Sequence, residues 1–189
     1  ISFDRADMWG IGLVVTEPDG STRTASTRLQ VREKSRTPAI ASPAPRSVNK
    51  TIRDVNSLEE LTTDLDPDEK MYVMTIDEAI NTGNPLVVTF STPAFCQTAI
   101  CGPQLEVIKE LRALYSTWIN FVHIEIYDNP HEIQGDFSQG RLSPSVAEWS
   151  LPSEPWTFIV DGEGLVYAKF EGFATQKELE ARLNSLLNQ

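Results

Sequence analysis

The sequence is poor in the residues that metal centres and membrane spans need. Its 189 residues include only two cysteines, two histidines and three methionines. The acidic residues between 54 and 69 show no ligand spacing, so we expect neither a metal nor another cofactor. The longest apolar runs are strand-sized, far short of the roughly 20 residues that a membrane-spanning helix requires. We therefore expect no transmembrane segment.

Basic residues are also scarce. Sixteen lysines and arginines face 27 aspartates and glutamates, which gives a net charge of -11. Nucleic acids and anionic membrane surfaces bind basic patches, so neither is an expected partner. Hydrophobic residues make up 40% of the chain, which is typical of a soluble globular protein. The length suits one ordinary domain plus an appendage.

Three regions of different composition follow one another. Residues 1–33 predict a β-hairpin around the turn Glu17–Gly20, a remnant of a β-sandwich domain. Because a two-stranded hairpin is marginal alone, it must dock on the main domain, on missing strands, or on another copy through self-association. Residues 34–69 predict a linker, first proline-rich and then acidic. Residues 70–189 form the predicted main domain.

The main domain alternates strand and helix patterns. Strands are predicted at 71–74, 86–90, 120–127, 156–160 and 165–170, and helices at 75–83, 104–118, 143–150 and 175–187. Two of the helices begin with a capping box, at Thr75 and at Thr175. The order βαβαβαββα predicts an α/β fold with a central mixed sheet flanked by helices.

The only cysteines, Cys96 and Cys101, lie between a predicted strand and a predicted helix. The first turn of a helix offers free N–H groups and a positive dipole end, which stabilise a thiolate. Residues five apart in a helix are separated by roughly 8 Å, whereas a disulfide needs Cα atoms within about 7 Å. If the cysteines are bridged, residues 97–100 must therefore form a loop, with Pro103 as the first helical residue.

This arrangement resembles the thioredoxin fold over roughly residues 70–188. Asp128-Asn129-Pro130 follows the third strand, and Gly172 follows the last one, as in that family. Pro155 precedes a strand where the family carries a cis-proline facing the dithiol. The cysteine segment is most similar to that of extracytoplasmic bacterial thioredoxin-like proteins. The Cys-x4-Cys spacing departs from Cys-x2-Cys, and Thr89 stands where thioredoxins carry a buried acid.

The resemblance implies a thiol-disulfide oxidoreductase that acts on protein thiols and disulfides through Cys96 and Cys101. It makes Cys96 the attacking sulfur and Cys101 the resolving one, although the helix start favours Cys101 as the thiolate. It implies that Pro155, Glu154 and Trp156 bind the substrate. It also implies an extracytoplasmic location. The first residue is Ile1, so we expect a secreted or anchored protein that has lost an N-terminal segment, or a fragment.

Two alternatives stay open at this point. One is a non-catalytic thioredoxin-like interaction module whose disulfide is only structural. The other is a peroxiredoxin-like peroxide reductase, because Thr98 and Cys101 match a Thr-x-x-Cys motif and Arg141 could supply the cation. The proline of that motif is missing, since Ala94 occupies its position.

Overall fold

A computed structural model describes residues 3–96 and 98–188, and its contacts divide the chain into two units, Ile1–Ser35 and Arg36–Gln189. The first unit is an antiparallel hairpin of β1 (Met8–Thr16) and β2 (Thr22–Gln30). Gly20, with φ of 84°, closes the predicted turn by donating its N–H to the Glu17 carbonyl. A β-sandwich origin and self-association through this hairpin stay predictions.

The second unit is built on a four-stranded mixed sheet. Its strands are β3 (Leu86–Ser91), β4 (Asn120–Glu125), β5 (Trp156–Val160) and β6 (Val166–Glu171), in the order β4-β3-β5-β6. The first pair, β3 and β4, is parallel, whereas β5 runs antiparallel to both β3 and β6. This strand order and these directions are those of the thioredoxin fold.

Helices cover the two faces of this sheet. They are α1 (Ile76–Asn81), α2 (Cys101–Tyr115), α3 (Pro130–Ile133), α4 (Pro144–Glu148) and α5 (Gln176–Leu187). The capping boxes predicted at Thr75 and Thr175 are both present. Within the described ranges, no helix is long and apolar enough to cross a bilayer.

Strand alternation produces a separate apolar core on each face. On one face, Val88 and Phe90 pack in a cluster with residues of α1 and with Trp149. On the other face, Val87 belongs to a cluster that buries residues of α2 and α5: Leu105, Ile108, Leu111, Leu179 and Leu183. Because both faces are covered, every residue of β3 is buried.

One predicted helix boundary and one predicted strand differ from the structure. The helix expected from residue 104 begins at Cys101, and Pro103 occupies its third position, where the missing N–H breaks no helical hydrogen bond. The strand predicted at 71–74 is replaced by a 3-10 turn at Glu69–Met71. The Asp68 side chain accepts from the Lys70 N–H and stabilises this turn.

The segment predicted as a linker over 34–69 is largely packed into the second unit. Ala41 and Ala44 donate their N–H groups to the carbonyls of Val166 and Gly164, at 2.8 and 2.9 Å. These bonds pair the segment with Val166, the first residue of the edge strand β6, and with Gly164 just before it. The segment turns here, because the Ser42 N–H donates to the Ala39 carbonyl and Ala41 has a φ of 63°. The domain boundaries at 33 and 69 stay predictions.

Candidate redox site

The two cysteines form a disulfide whose Cα atoms are 5.9 Å apart. Cys101 is the first residue of α2 and is fully buried. Cys96 precedes the helix and is half-buried. The site therefore presents one accessible cysteine and one sequestered cysteine to an approaching reactant.

The described residues between the cysteines, 98–100, are not helical, which allows the two Cα atoms to come within disulfide distance. The Ala99 N–H donates to the Cys96 carbonyl at 3.4 Å. Ala99 has a φ of 57°, a left-handed conformation that reverses the chain just before α2 begins. Thr98 places its hydroxyl 3.4 Å from the Cys96 sulfur. The predicted loop also includes Gln97, which lies outside the described residues.

Pro155 and the cysteine loop share a neighbour. The Gly172 N–H donates to the Pro155 carbonyl at 2.8 Å. A Cβ added at Gly172 would lie 3.6 Å from the Ile100 side chain, so Gly172 also lies beside the start of α2. The Glu154–Pro155 peptide bond is cis. The predicted substrate segment and the disulfide therefore lie at the same end of the sheet.

The remaining predicted binding residues differ in exposure. Glu154 is half-buried, whereas Trp156 is only 6% exposed. The Trp156 ring stacks on Phe158 with 5.6 Å between centroids, and its Nε1–H donates to the Ser153 hydroxyl. Trp156 thus contributes mainly to the core, and a substrate contact by its ring stays a prediction.

An aromatic surface adjoins Cys96 and consists of Phe95, Tyr127 and Phe137. The Phe95 ring packs edge-on against Tyr127 at 5.8 Å and against Phe137 at 5.4 Å. Phe137 is 57% exposed, although it is a large apolar side chain. No local sequence pattern indicates this surface, because Phe137 lies in a polar loop about 40 residues beyond Phe95.

Gly140 lies against the Tyr127 ring of the aromatic surface, and Gly140→Ala is expected to displace that ring. An added Cβ would lie 2.7 and 2.8 Å from two atoms of the Tyr127 ring. The ring must therefore move, at a cost of about 1–3 kcal/mol in the free energy of unfolding. Urea unfolding should show this loss. Gly135→Ala is a less suitable control because of its positive φ, so Gly102→Ala, which meets nothing within 4 Å, provides the comparison.

A buried polar chain lies on the face of the sheet that α2 covers. His123 on β4 bonds through Nδ1 to the Tyr72 hydroxyl at 2.7 Å and through Nε2 to the Ser91 hydroxyl at 2.8 Å. Burial lowers the pKa of His123 to about 4, so the ring is neutral at physiological pH. His123 is therefore a packed, neutral residue of the sheet. Thr89 contacts Thr157 at 3.3 Å in the same layer.

Glu125 is the most perturbed carboxylate of the site region and was not identified from the sequence. It is 4% exposed, and burial raises its pKa to about 7. Its Oε2 accepts from the Thr63 N–H and hydroxyl, both at 2.9 Å. The Thr63 hydroxyl also accepts from the Ala94 N–H at 3.0 Å, which connects Glu125 to the cysteine loop. The only sequence feature that indicates its position is the alternation of β4, which places Glu125 on the same face of the sheet as His123.

Arg141, the cation of the peroxide-reductase hypothesis, pairs elsewhere. Its Nη1 lies 3.2 Å from the Glu132 carboxylate, and both side chains are exposed. That ion pair joins the loop before α4 to Glu132 of α3. The peroxide hypothesis therefore gains no support from the position of Arg141.

Comparisons with known proteins bear on the fold. No protein-family model and no curated protein matches the chain. A thiol-disulfide isomerase from Corynebacterium glutamicum is similar in structure, with 14% identity, a TM-score of 0.49, and coverage of 68% of this chain and 96% of that one. A secreted disulfide oxidoreductase of Mycobacterium tuberculosis gives 21% identity, a TM-score of 0.42, and coverage of 55% and 83%. A poplar thioredoxin h is 23% identical, with a TM-score of 0.41, and the match covers 59% of this chain and 84% of that one.

These solved structures are thioredoxin-fold proteins, as the sequence resemblance predicted. The assignment of the fold rests on the strand order and strand directions of the second unit. The chain is thus a thioredoxin-fold protein with an additional N-terminal hairpin and a Cys-x4-Cys disulfide.

Proposed function

We propose that the protein is a thiol-disulfide oxidoreductase that acts on protein thiols and disulfides through Cys96 and Cys101. One observation carries the proposal: the disulfide joins a half-buried Cys96 to a fully buried Cys101 at the first residue of a 15-residue helix. Exchange needs one sulfur that a substrate can reach and a second within bonding distance. The pair supplies both.

The asymmetry of burial favours Cys96 as the attacking sulfur. In the reducing direction, the Cys96 thiolate attacks a substrate disulfide, and one substrate sulfur leaves as a thiolate. The Cys101 thiolate then attacks Cys96 in the mixed disulfide and releases the second substrate sulfur. The substrate gains two electrons, and the protein disulfide closes. The reverse sequence oxidises a substrate dithiol.

Two groups of residues support a polypeptide substrate. The aromatic surface adjoins Cys96 through Phe95, and exposed aromatic rings beside a reactive group are typical of protein-binding surfaces. The Glu154–Pro155 segment lies at the same end of the sheet. Because the Pro155 carbonyl already accepts from Gly172, the backbone of Glu154 is the group proposed to pair with an extended substrate.

We also propose an extracytoplasmic location and a slow or specialised exchange. A closed disulfide persists most readily in an oxidising compartment, which supports the first proposal. Thr89 contacts a second threonine where thioredoxins carry a buried acid, so proton transfer lacks that acid, which supports the second.

Thiol-disulfide turnover tests the proposal directly. The wild type is expected to reduce the insulin disulfides with dithiothreitol as the electron donor, and both Cys96→Ser and Cys101→Ser are expected to abolish turnover. Cys96→Ser should form no mixed disulfide, whereas Cys101→Ser should accumulate one, because only Cys96 is accessible. A disulfide that stays closed in glutathione buffer without turnover would instead establish the non-catalytic interaction module. Preferential alkylation of Cys101 in the reduced wild type would reverse the assignment of the two sulfurs.

A further inference from the structure

One buried amide next to the disulfide has a donor without an acceptor. Gln104 lies in the first turn of α2 and is fully buried. Its Oε1 accepts from the Ala174 N–H at 2.7 Å, which fixes the end of the amide that carries the oxygen. Its Nε2 has no hydrogen-bond partner among residues 3–96 and 98–188. Buried donors are nearly always paired, so this one calls for an acceptor in another state of the protein.

The helix geometry directs Gln104 toward Cys101. Residues three apart share one face of a helix, and side chains lean toward the helix N-terminus. The Gln104 side chain therefore covers the turn that begins at Cys101, and both residues are fully buried.

The two redox states differ in what Cys101 offers to a donor. In the disulfide its sulfur is a weak acceptor. Reduction by an external dithiol supplies two electrons, breaks the Cys96–Cys101 bond and leaves an electron pair on each sulfur, while the dithiol becomes a disulfide. A thiolate that remains on Cys101 is a strong acceptor, because hydrogen bonds to charged groups are about twice as strong as neutral ones.

We propose that Gln104 is a positioning residue that donates its Nε2–H to the Cys101 thiolate in the reduced protein and so favours the dithiol over the disulfide. The inference rests on the proposed function, since it assigns a regulator to the same site. In this role Gln104 neither contacts the substrate nor titrates. Its effect falls on the balance between the two redox states rather than on substrate recognition.

The redox equilibrium with dithiothreitol, measured on the full chain, tests this proposal. Gln104→Leu is expected to shift the equilibrium constant about tenfold toward the disulfide, the size of one hydrogen bond to a charged group. For a two-electron couple this corresponds to about 30 mV. Gln104→Met keeps the length of the side chain but has no N–H donor, so it should shift the constant in the same direction. Gln176→Leu, which removes a half-buried glutamine from α5, should leave it unchanged.

A second measurement separates this role from mere packing. In the Cys96→Ser background, Gln104→Leu is expected to raise the pKa of the remaining Cys101 thiol by about one unit, followed by thiolate absorbance. An unchanged equilibrium constant, with both redox states destabilised equally, would overturn the proposal. So would a Gln104→Met variant whose equilibrium constant equals that of the wild type. Neither readout depends on turnover of a protein substrate, so failure of the proposed function would be recognised separately.

Discussion

Replacing Glu125 by glutamine is expected to change how the stability of the protein depends on pH. Burial raises the pKa of Glu125 from 4.5 to about 7, so the folded state favours the protonated carboxyl. Its contribution to stability is fully present below pH 4.5 and is lost as the pH rises through about 7. A shift of this size corresponds to about 3 kcal/mol in the free energy of unfolding.

His123 contributes with the opposite sign over nearly the same range. Burial lowers its pKa from 6.5 to about 4, so its contribution is present above pH 6.5 and is lost as the pH falls through about 4. Asp64 and Lys109 act on His123 in opposite directions, and both effects are smaller than that of burial. Between about pH 4.5 and 6.5, Glu125 makes the free energy of unfolding fall with pH and His123 makes it rise. The two pH dependences therefore nearly cancel.

Single substitutions should remove this cancellation. In Glu125→Gln, the free energy of unfolding is expected to rise with pH by about 3 kcal/mol more than in the wild type. In His123→Gln it should instead fall with pH by a similar amount. Urea unfolding of the oxidised protein from pH 4 to 8 provides the measurement. Glu163→Gln, in an exposed turn, controls for the loss of one negative charge. Parallel curves for all variants would show that neither group titrates with a shifted pKa.

The sequence predicted the parts of this protein that depend on local signals. Thr75 and Thr175 marked two helix starts because a capping box is formed by neighbouring residues. The buried strand β3 was evident from its continuous apolar run, and Cys96 and Cys101 from their position after it. Together these placed the disulfide within a thioredoxin fold.

Contacts between distant residues were not predictable in the same way. Thr63 reaches Ala94 across 31 positions and Glu125 across 62, and no local pattern encodes either contact. The same limit explains the linker prediction. Composition predicted a linker over residues 34–69, but only the tertiary structure shows that Ala41 and Ala44 pair with Val166 and Gly164. The free donor of Gln104 is likewise visible only once Ala174 is placed against it.

Trp149→Ala is expected to destabilise the second unit by about 3–5 kcal/mol, the range for removing a buried tryptophan. Trp149 is fully buried. Its ring packs against Phe90 at 5.2 Å and Phe158 at 4.7 Å, so truncation leaves a cavity beside the sheet. Its Nε1–H donates to the Ser47 hydroxyl at 3.1 Å, which ties residues 36–50 to the core.

Two further variants separate the packing from the hydrogen bond. Trp149→Phe keeps an aromatic ring but loses the donor to Ser47, so its cost should be smaller, about 1–2 kcal/mol. Trp118→Ala, at a tryptophan that is 56% exposed, should change the free energy of unfolding by no more than about 0.5 kcal/mol. Limited proteolysis adds a structural readout: because Ser47 is held by Trp149, cleavage within 36–50 should accelerate in Trp149→Ala but not in Trp118→Ala. Equal cleavage rates would mean that the other contacts of this segment, such as the Ser47–Glu148 hydrogen bond and the pairing of Ala41 with Val166, hold it without the Trp149 ring.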